Sequence, residues 1–447
     1  MLSDKILQNT RSNPDKIVIS WRGETVTYGQ LGILIESFQK KLTKPNKRFF
    51  IKSDFPIKAI AQLIACQLTG NSGLIISNDL PETDKSSLSV ANGFIDFPTS
   101  ESVSAPGKEF TDNYFLGVLT SGSSGTPKVI FKDNDCWERA FSYQSQIFGI
   151  HAYDNIFVLD ALAYSANLNA VIHALWLGAS VTFGSLSSAK SWGKQFTEEQ
   201  ITSTFLVPSH LKLLMSQEVG RALKSVVTAG EKLSSVLAQS ISKSCPDVTL
   251  TEYYGTAELG HISYHQNEEI IKNSLSVGKP FPEVQVDILD KQLYVKSPYV
   301  SPEYRNAKTV GDLGIWENDC LILLGRSGRM FNRRGLNVYA QEIEQKALLH
   351  PAINEAYLLE RLVGTQKKLH LIFSVKSESP PYQNIAKALI IYLQALLPAA
   401  KCPNRVIEVK EIPRLSGGKI DENKLLELLY LSELKDEADA IYELECL

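Results

Sequence analysis

A chain of 447 residues with 44% hydrophobic content is long enough to bury a large core and too long for one core alone. A net charge of −3 argues against a nucleic-acid binder, which would show a basic face. Six cysteines (Cys66, Cys136, Cys245, Cys320, Cys402 and Cys446) lie scattered without a C-x-x-C pair, and Met1-Leu2-Ser3-Asp4-Lys5 has no signal-peptide pattern. The cysteines therefore read as reduced, mostly packed thiols of a cytoplasmic protein.

In chain order, Ile17-Val18-Ile19-Ser20 and Val26-Thr27-Tyr28 flank Arg22-Gly23-Glu24, a hairpin signal. Amphipathic helices are expected at Leu31–Leu42 and Ile57–Leu68, with a strand at Gly73–Ser77. The Ser-, Pro- and Asp-rich region Asp79–Gly107 is the least patterned and reads as a surface excursion. Strands are then expected at Ile156–Leu159, Ser180–Phe183, Thr202–Val207, Ser225–Thr228 and Val248–Tyr253, separated by helical segments. That alternation is the pattern of a parallel α/β sheet. The run from Ile156 to Phe183 is apolar enough to suggest a membrane span, but Asp160, Asn167, Asn169 and His173 interrupt it, so strand–helix–strand is the better reading and no span is expected.

From Val284 to Val295 and Leu321 to Leu324 the pattern turns all-β. After Gly325 a new alternation begins: helix Gln341–Leu349, strands Glu355–Leu359 and His370–Val375, helix Ile385–Leu397 and strand Val406–Lys410. A domain boundary is placed near Gly328. The tail, Leu425 to Leu447, spaces Leu, Tyr and Ile helically among acids; it suits an amphipathic helix and leaves open a contact with another subunit, as in a homodimer.

The segment carrying most chemical information is Leu119-Thr120-Ser121-Gly122-Ser123-Ser124-Gly125-Thr126-Pro127-Lys128-Val129, entered from an apolar strand beginning at Tyr114. Glycines free backbone N–H groups, hydroxyls add donors and Lys128 adds charge, the ingredients of a polyphosphate cradle. It is not a Walker A loop, because Lys128 follows Gly125 by three and precedes valine. Alone it is as readily a plain surface loop.

Five further segments follow. Ala229-Gly230-Glu231 ends a strand where a planar base can lie against backbone. Glu252-Tyr253-Tyr254-Gly255-Thr256-Ala257-Glu258 offers an aromatic face and then a carboxylate able to hold Mg2+. Asp312, in Gly311-Asp312-Leu313-Gly314, suits two ribose hydroxyls. Gly325-Arg326-Ser327-Gly328-Arg329 opens the second domain, and Pro413-Arg414-Leu415-Ser416-Gly417-Gly418-Lys419-Ile420-Asp421 presents a lysine on a Gly-rich tip. Each has an ordinary structural explanation by itself, whether turn, surface charge or core-edge aromatic.

Their order and spacing resemble the adenylate-forming superfamily of acyl- and aryl-CoA synthetases, peptide-synthetase adenylation domains and luciferases, over nearly the whole chain. Pro14-Asp15 and Thr27-Tyr28-Gly29-Gln30-Leu31 look like its N-terminal signature, Thr120 to Lys128 like its phosphate loop, and Tyr254-Gly255-Thr256-Ala257-Glu258 like its YGxTE motif. Asp312 falls on its ribose aspartate, Arg326 on its post-hinge arginine and Lys419 on the lysine of its GKI motif. Gly335-Leu336-Asn337-Val338-Tyr339-Ala340-Gln341-Glu342-Ile343-Glu344 resembles its GxNIxPxEIE segment.

The resemblance implies an α/β fold. A large N-terminal domain (residues 1–327) of mixed and parallel α/β subdomains, with a smaller β-rich subdomain, would hold ATP and the carboxylate. A small, mobile α+β domain (328–447), hinged at Gly328, would bring in Lys419. It also implies two half-reactions, adenylation of a carboxylate by ATP·Mg2+ and transfer of the acyl group to a thiol. Lys128 with Thr120, Ser121, Gly122, Ser123, Ser124, Gly125 and Thr126 would serve the phosphates, Glu258 the metal, and Lys419 the oxygens joining acyl group and phosphate. Ala229, Gly230, Glu231, Tyr253, Tyr254, Gly255, Thr256, Asp312 and Arg326 would hold adenine and ribose, and Gly335 and Leu336 would line a thiol tunnel.

There are departures. Ala257 replaces the threonine of YGxTE, with Thr256 as a partial substitute; Gly328 stands where the hinge is usually Asp or Lys; and Ala340-Gln341 displaces a proline. The slot where amino-acid-activating relatives place an aspartate falls near Tyr164, one helical turn after Asp160. An uncharged residue there favours an acid without an amine, because a buried ammonium needs a counter-ion. The acid pocket is expected to draw on Tyr164, His210, Val227, Thr228, Tyr253 and His261.

The expected function is an acyl- or aryl-CoA synthetase, AMP-forming, acting on a fatty or aryl acid with ATP, Mg2+ and CoA. A stand-alone adenylation enzyme loading the phosphopantetheine of an acyl carrier protein is the second reading, and a non-catalytic nucleotide or acyl-adenylate sensor the third. A zinc site at His261 and His265 is rejected, because a strand-like context separates the rings by about 13 Å.

Overall fold

The computed structural model describes residues 1–78, 80–98, 108–121, 127–273, 275–306, 309–333, 336–363, 366–376, 384–415 and 420–435. Near its start, Thr27-Tyr28-Gly29-Gln30 is a capping box. The Thr27 hydroxyl accepts from the Gln30 N–H, and the Gln30 side chain accepts from the Thr27 N–H, so the helix begins at Tyr28 and runs Tyr28–Gln39, earlier than expected. Proline at the first turn similarly starts the helix Pro56–Leu68.

Two sheets carry the first part of the chain. The larger has nine strands in the order Lys279–Pro280, Gly260–Gln266, Thr249–Thr256, Ser225–Thr228, Ser203–Phe205, Asn155–Leu159, Ser180–Gly184, Ile17–Trp21 and Glu24–Thr27. From Thr249–Thr256 to Ile17–Trp21 the pairing is parallel, and the outer strands pair antiparallel. Within Asn155–Leu159, Ile156 and Val158 enter one core while Phe157 and Leu159 enter another. The sheet is thus buried on both faces, which is why these strands read as unbroken apolar runs.

The second sheet, in the order Phe94–Asp96, Arg48–Lys52, Ser72–Ile76, Leu116–Ser121, Pro127–Lys132, is parallel except for its last pair. The region read as an unpatterned excursion supplies part of it: helix Glu82–Asn92 and the strand Phe94–Asp96. Helix Glu82–Asn92 is mostly Ser, Thr, Asp and Asn and buries only Leu88, so its periodicity was too weak to read.

A four-stranded antiparallel sheet follows, Gln285–Leu289, Gln292–Lys296, Asp312–Glu317 and Cys320–Arg326. After the hairpin Met330–Arg333 and Leu336–Tyr339, the long strands Ile353–Val363 and Gln366–Val375 pair antiparallel, and Arg405–Glu408 joins in parallel. Helices Ala340–Leu348 and Ile385–Leu396 contribute to a core made wholly from residues after Gly328. Helix Glu422–Lys435 closes the opposite face through Leu425 and Leu429 against Tyr357 and Ile372. No described helix is long and apolar enough to cross a membrane.

One buried ion cluster clips the middle of the large sheet. The Glu252 carboxylate accepts from His265 Nε2 at 2.6 Å, from the Leu233 N–H at 2.7 Å and from Lys232. Burial alone would raise the Glu252 carboxyl, but Lys232 and His265 outweigh burial and hold it below the usual carboxylate range. Its stabilising contribution is therefore fully present above the unfolded carboxylate pKa of about 4 and is lost as pH falls through the lower folded value. Glu252→Gln strands the Lys232 charge, and a loss of about 3–5 kcal/mol is expected, read as a fall in the thermal unfolding midpoint at neutral pH.

Candidate active site at the end of strand Thr249–Thr256

The strand Thr249–Thr256 ends in a turn that cannot be widened. A Cβ on Gly255 would stand 2.4 Å from the Gly260 carbonyl oxygen, and the pairing slips by one residue between Tyr254 and Gly255. Only glycine lets the two backbones approach this closely. Thr256 Oγ1 accepts from the Leu259 N–H at 3.0 Å and so closes the turn. Behind it, the buried Lys132 ammonium donates to the Ala257 carbonyl, and the Ser301 N–H donates to the Glu258 carbonyl at 2.9 Å. The backbone that carries Glu258 is therefore fixed from two sides. Its carboxylate makes no hydrogen bond or ion pair among the described residues.

Successive side chains of the strand point to opposite faces. On one face the Tyr254 phenol donates to Asp312, and Arg326 Nε donates to the other Asp312 oxygen at 3.0 Å. Burial, then Asp312, pushes the Tyr254 phenol far up, so it stays a donor. Burial works against the Arg326 charge, but Asp312 outweighs it and keeps the guanidinium protonated. On the other face Tyr253 packs, with its ring tilted, against His261 at 4.8 Å between ring centres and against Phe148 at 5.6 Å. The two tyrosines, adjacent in sequence, thus serve different chambers, and Tyr253 does not join the Asp312 group.

The strands around residues 122–126 pair so that Thr120 lies opposite Lys128. Lys128 donates to the Tyr304 phenol at 2.9 Å and lies 3.9 Å from Glu303. The hydrogen bond to Tyr304, with Glu303 and Glu258 adding to it, raises its pKa, so the charge is retained at neutral pH. Lys132, four residues on and on the same face of the strand, is the buried lysine that holds Ala257; burial lowers its pKa. Gly122, Ser123, Ser124, Gly125, Thr126, Gly335 and Lys419 lie outside the described residues, while Ser121 ends one strand and Leu336 begins another.

Ala229 and Gly230 follow strand Ser225–Thr228, with Gly230 at φ +85°, a conformation that favours glycine. Glu231 accepts from the Ser209 N–H at 3.3 Å and is gripped by Arg414, whose Nη2 also donates to Glu355 at 2.6 Å. Burial raises the Glu231 carboxyl, and Arg414 opposes that. Arg414 pairs in turn with Ile420, the residue after Lys419, through an isolated antiparallel bridge. At Gly328, Arg326 is bound to Asp312, while Arg329 donates to Glu344 at 2.6 Å and to the Leu358 carbonyl at 2.7 Å. Arg326 is therefore tied to the four-stranded sheet and Arg329 to helix Ala340–Leu348 and strand Ile353–Val363, and among the described residues nothing stands within 4 Å of a Cβ placed on Gly328.

The expected acid pocket divides. Val227, Tyr253 and His261 come together with Phe148 and Phe205. Thr228 alternates to the opposite face of its strand, and His210 packs edge-on to Trp192 at 6.4 Å beside Arg414. Tyr164 stands at the N-terminal cap of helix Ser165–Leu177. Sequence reasoning missed Lys132, Arg414, Gln144 and Asn169. Arg414 lies in the segment that carries Lys419 and the other three lie in no motif, and the contact each makes becomes visible only through a partner more than 20 residues away. His265 is engaged by Glu252, and no cluster of three potential metal ligands occurs among the described residues.

A lone unpaired carboxylate near retained cations fits Mg2+ held mainly by nucleotide phosphates and water, with Glu258 as its protein ligand. The Tyr254–Asp312–Arg326 group fits a polyol beside a phosphate.

Residues 98–305 match the family described as AMP-binding enzyme. VraA of Staphylococcus haemolyticus, provisionally named a long chain fatty acid-CoA ligase, is 25% identical over 330 residues, covering 70% of each chain. In three dimensions the chain is similar to O-succinylbenzoate coenzyme A synthetase (MenE) from Bacillus subtilis in complex with AMP, at TM-score 0.79 and 19% identity, covering 94% of this chain and 97% of that one. It is also similar to the anthranilate CoA ligase AuaEII in complex with anthranoyl-AMP, at TM-score 0.81 and 16% identity, covering 97% and 98%. Motif order and fold agree with those of the adenylate-forming superfamily, and the match to AMP-binding enzymes covers residues 98–305 of the 447.

Proposed function

We propose that the protein is an AMP-forming acid–thiol ligase that converts a carboxylic acid to its CoA thioester. The observation that carries this reading is the meeting of Tyr254, Asp312 and Arg326 at the end of one strand, with Glu258 and Lys128 beyond it. In the first half-reaction a carboxylate oxygen attacks the α-phosphorus of ATP and the bond to pyrophosphate breaks. In the second, a thiol sulfur attacks the acyl carbon, the bond to AMP breaks and the thiol proton is released. Charge gathers on the phosphates in the first step, where Lys128 and the 120–126 loop supply cation and donors. Asp312 accepts the ribose hydroxyls, and Arg326 stays beside it as a fixed positive charge. The Ala229–Glu231 turn takes the adenine.

Residues 1–327 form the body that binds ATP and acid on this reading, and 328–447 the mobile domain, turning at Gly328. Support comes from the opposed anchoring of Arg326 and Arg329 on either side of that glycine. Lys419 is brought to the acyl-phosphate oxygens while Arg414 grips Glu231, and Gly335 and Leu336 line the thiol path after the domain turns. The described cysteines are free thiols, in keeping with a reducing cytoplasm that supplies ATP and CoA.

The direct test is ATP–pyrophosphate exchange across a panel of acids, followed by CoA consumption with the best of them. Acid-dependent exchange without thioester formation on CoA would reject CoA as the acceptor. Lys419→Ala is expected to slow exchange by on the order of 10²–10³ while largely sparing thioester formation from supplied acyl-adenylate; equal loss in both steps contradicts the assignment. Arg414→Ala should slow exchange by about tenfold to a hundredfold through misplacement of the lysine. Glu355→Gln, which leaves the grip on Glu231 intact, should cost less in the same assay.

A further inference from the structure

One short segment, residues 301–305, fastens the turn that carries Glu258 to the strand that carries Lys128. At its start the Ser301 N–H donates to the Glu258 carbonyl at 2.9 Å and the Ser301 hydroxyl to the Ala257 carbonyl at 3.2 Å. At its end Lys128 Nζ donates to the Tyr304 phenol oxygen at 2.9 Å, 5.3 Å from the centre of that ring, and lies 3.9 Å from Glu303. Arg305 pairs with Asp133, the residue after strand Pro127–Lys132. Lys132 then returns from the strand to the turn by donating to the Ala257 carbonyl. Turn, segment and strand thus form a closed circuit of contacts, with Glu258 and Lys128 both on it. Tyr304 is well placed to be its fixed point. Its N–H donates to the Ser301 carbonyl at 2.8 Å, and its ring packs both on the main apolar core and on the cluster around Leu259 and Val300.

We propose that Tyr304 is a positioning residue: it holds the Lys128 ammonium at a set place relative to Glu258, and so favours a nucleoside triphosphate over a monophosphate. The inference rests on the ligase reading above, in which Lys128 serves the phosphates beyond the α-position and Glu258 the metal. A lysine side chain has many rotamers, and Lys128 is half-exposed, so water alone would leave it spread among them. Ordering it before ATP arrives removes that cost from binding. The phenol oxygen is a neutral acceptor, which takes one N–H of the ammonium without cancelling its charge. A carboxylate in hydrogen-bond contact would fix the lysine equally well but compete with phosphate for it, and Glu303 stands off at 3.9 Å.

Tyr304→Phe keeps the ring and removes only the accepting oxygen. Calorimetric titration of the full chain with ATP and with AMP, both with Mg2+, should show ATP binding weakened by about tenfold and AMP binding changed by less than about twofold, because AMP lacks the phosphates that Lys128 meets. In a Lys128→Met background the same substitution should cost almost no further ATP affinity, since residues that act through one contact do not add. The ratio of the two affinities is internal to each variant, so partial unfolding does not imitate the result. Equal weakening for ATP and AMP, the mark of a merely structural role, overturns the inference. So does ATP binding that is unchanged or tighter, or the same loss recurring in the Lys128→Met background. Each of these leaves the ligase reading standing. Failure of the unaltered protein to bind either nucleotide overturns that reading itself, and the inference with it.

Discussion

The hydrogen bond from the Tyr254 phenol to Asp312 joins two structures of different kinds. Tyr254 belongs to the large, mostly parallel sheet, and Asp312 begins a strand of the small antiparallel one. Through Arg326 the same carboxylate reaches the last residue before the Ser327–Arg329 turn. One buried aspartate therefore fixes the large sheet against two neighbouring strands of the small one. Its geometry holds because Gly255 and Gly260 let the neighbouring hairpin close tightly behind Tyr254.

Charge is distributed to match. The chain is slightly acidic as a whole, yet Lys128, Lys132 and Arg326 surround the turn that carries Glu258. In a partly buried site fixed cations act more strongly than the same charges in water, because little solvent has to reorganise around them. Lys132 is used differently from Lys128. It is buried and spends its proton on the Ala257 carbonyl, so its role is to hold backbone, whereas Lys128 remains half-exposed at the mouth.

On the proposed reading, Arg414 and Gly328 bear on the movement of the C-terminal part. A single guanidinium bonds both to Glu231, after strand Ser225–Thr228, and to Glu355, in strand Ile353–Val363. The flanking arginines differ: Arg326 and Arg329 each bond to residues on their own side of Gly328.

Much of this was legible from the chain itself, and for definable reasons. Alternating apolar runs marked the parallel sheet, because strands buried on both faces leave little room for polar residues. The glycine of the Tyr254 turn and the order of the motifs are local or sequential properties, and a sequence records those directly; the Thr27–Gln30 capping box is equally local but went unread, and the helix was expected only from Leu31. What the sequence could not state is which distant residues share a partner. Tyr253 and Tyr254 look like one aromatic face until the pleat sends them to opposite chambers, and His210 and His261 look equivalent until one packs on Trp192 and the other on Tyr253. Lys132, Gln144 and Asn169 carry no motif, and Arg414, though it stands in the Lys419 segment, gives no sign there of its partners Glu231 and Glu355. Their roles come from contacts across the fold, and such contacts are decided by packing rather than by neighbours in the chain.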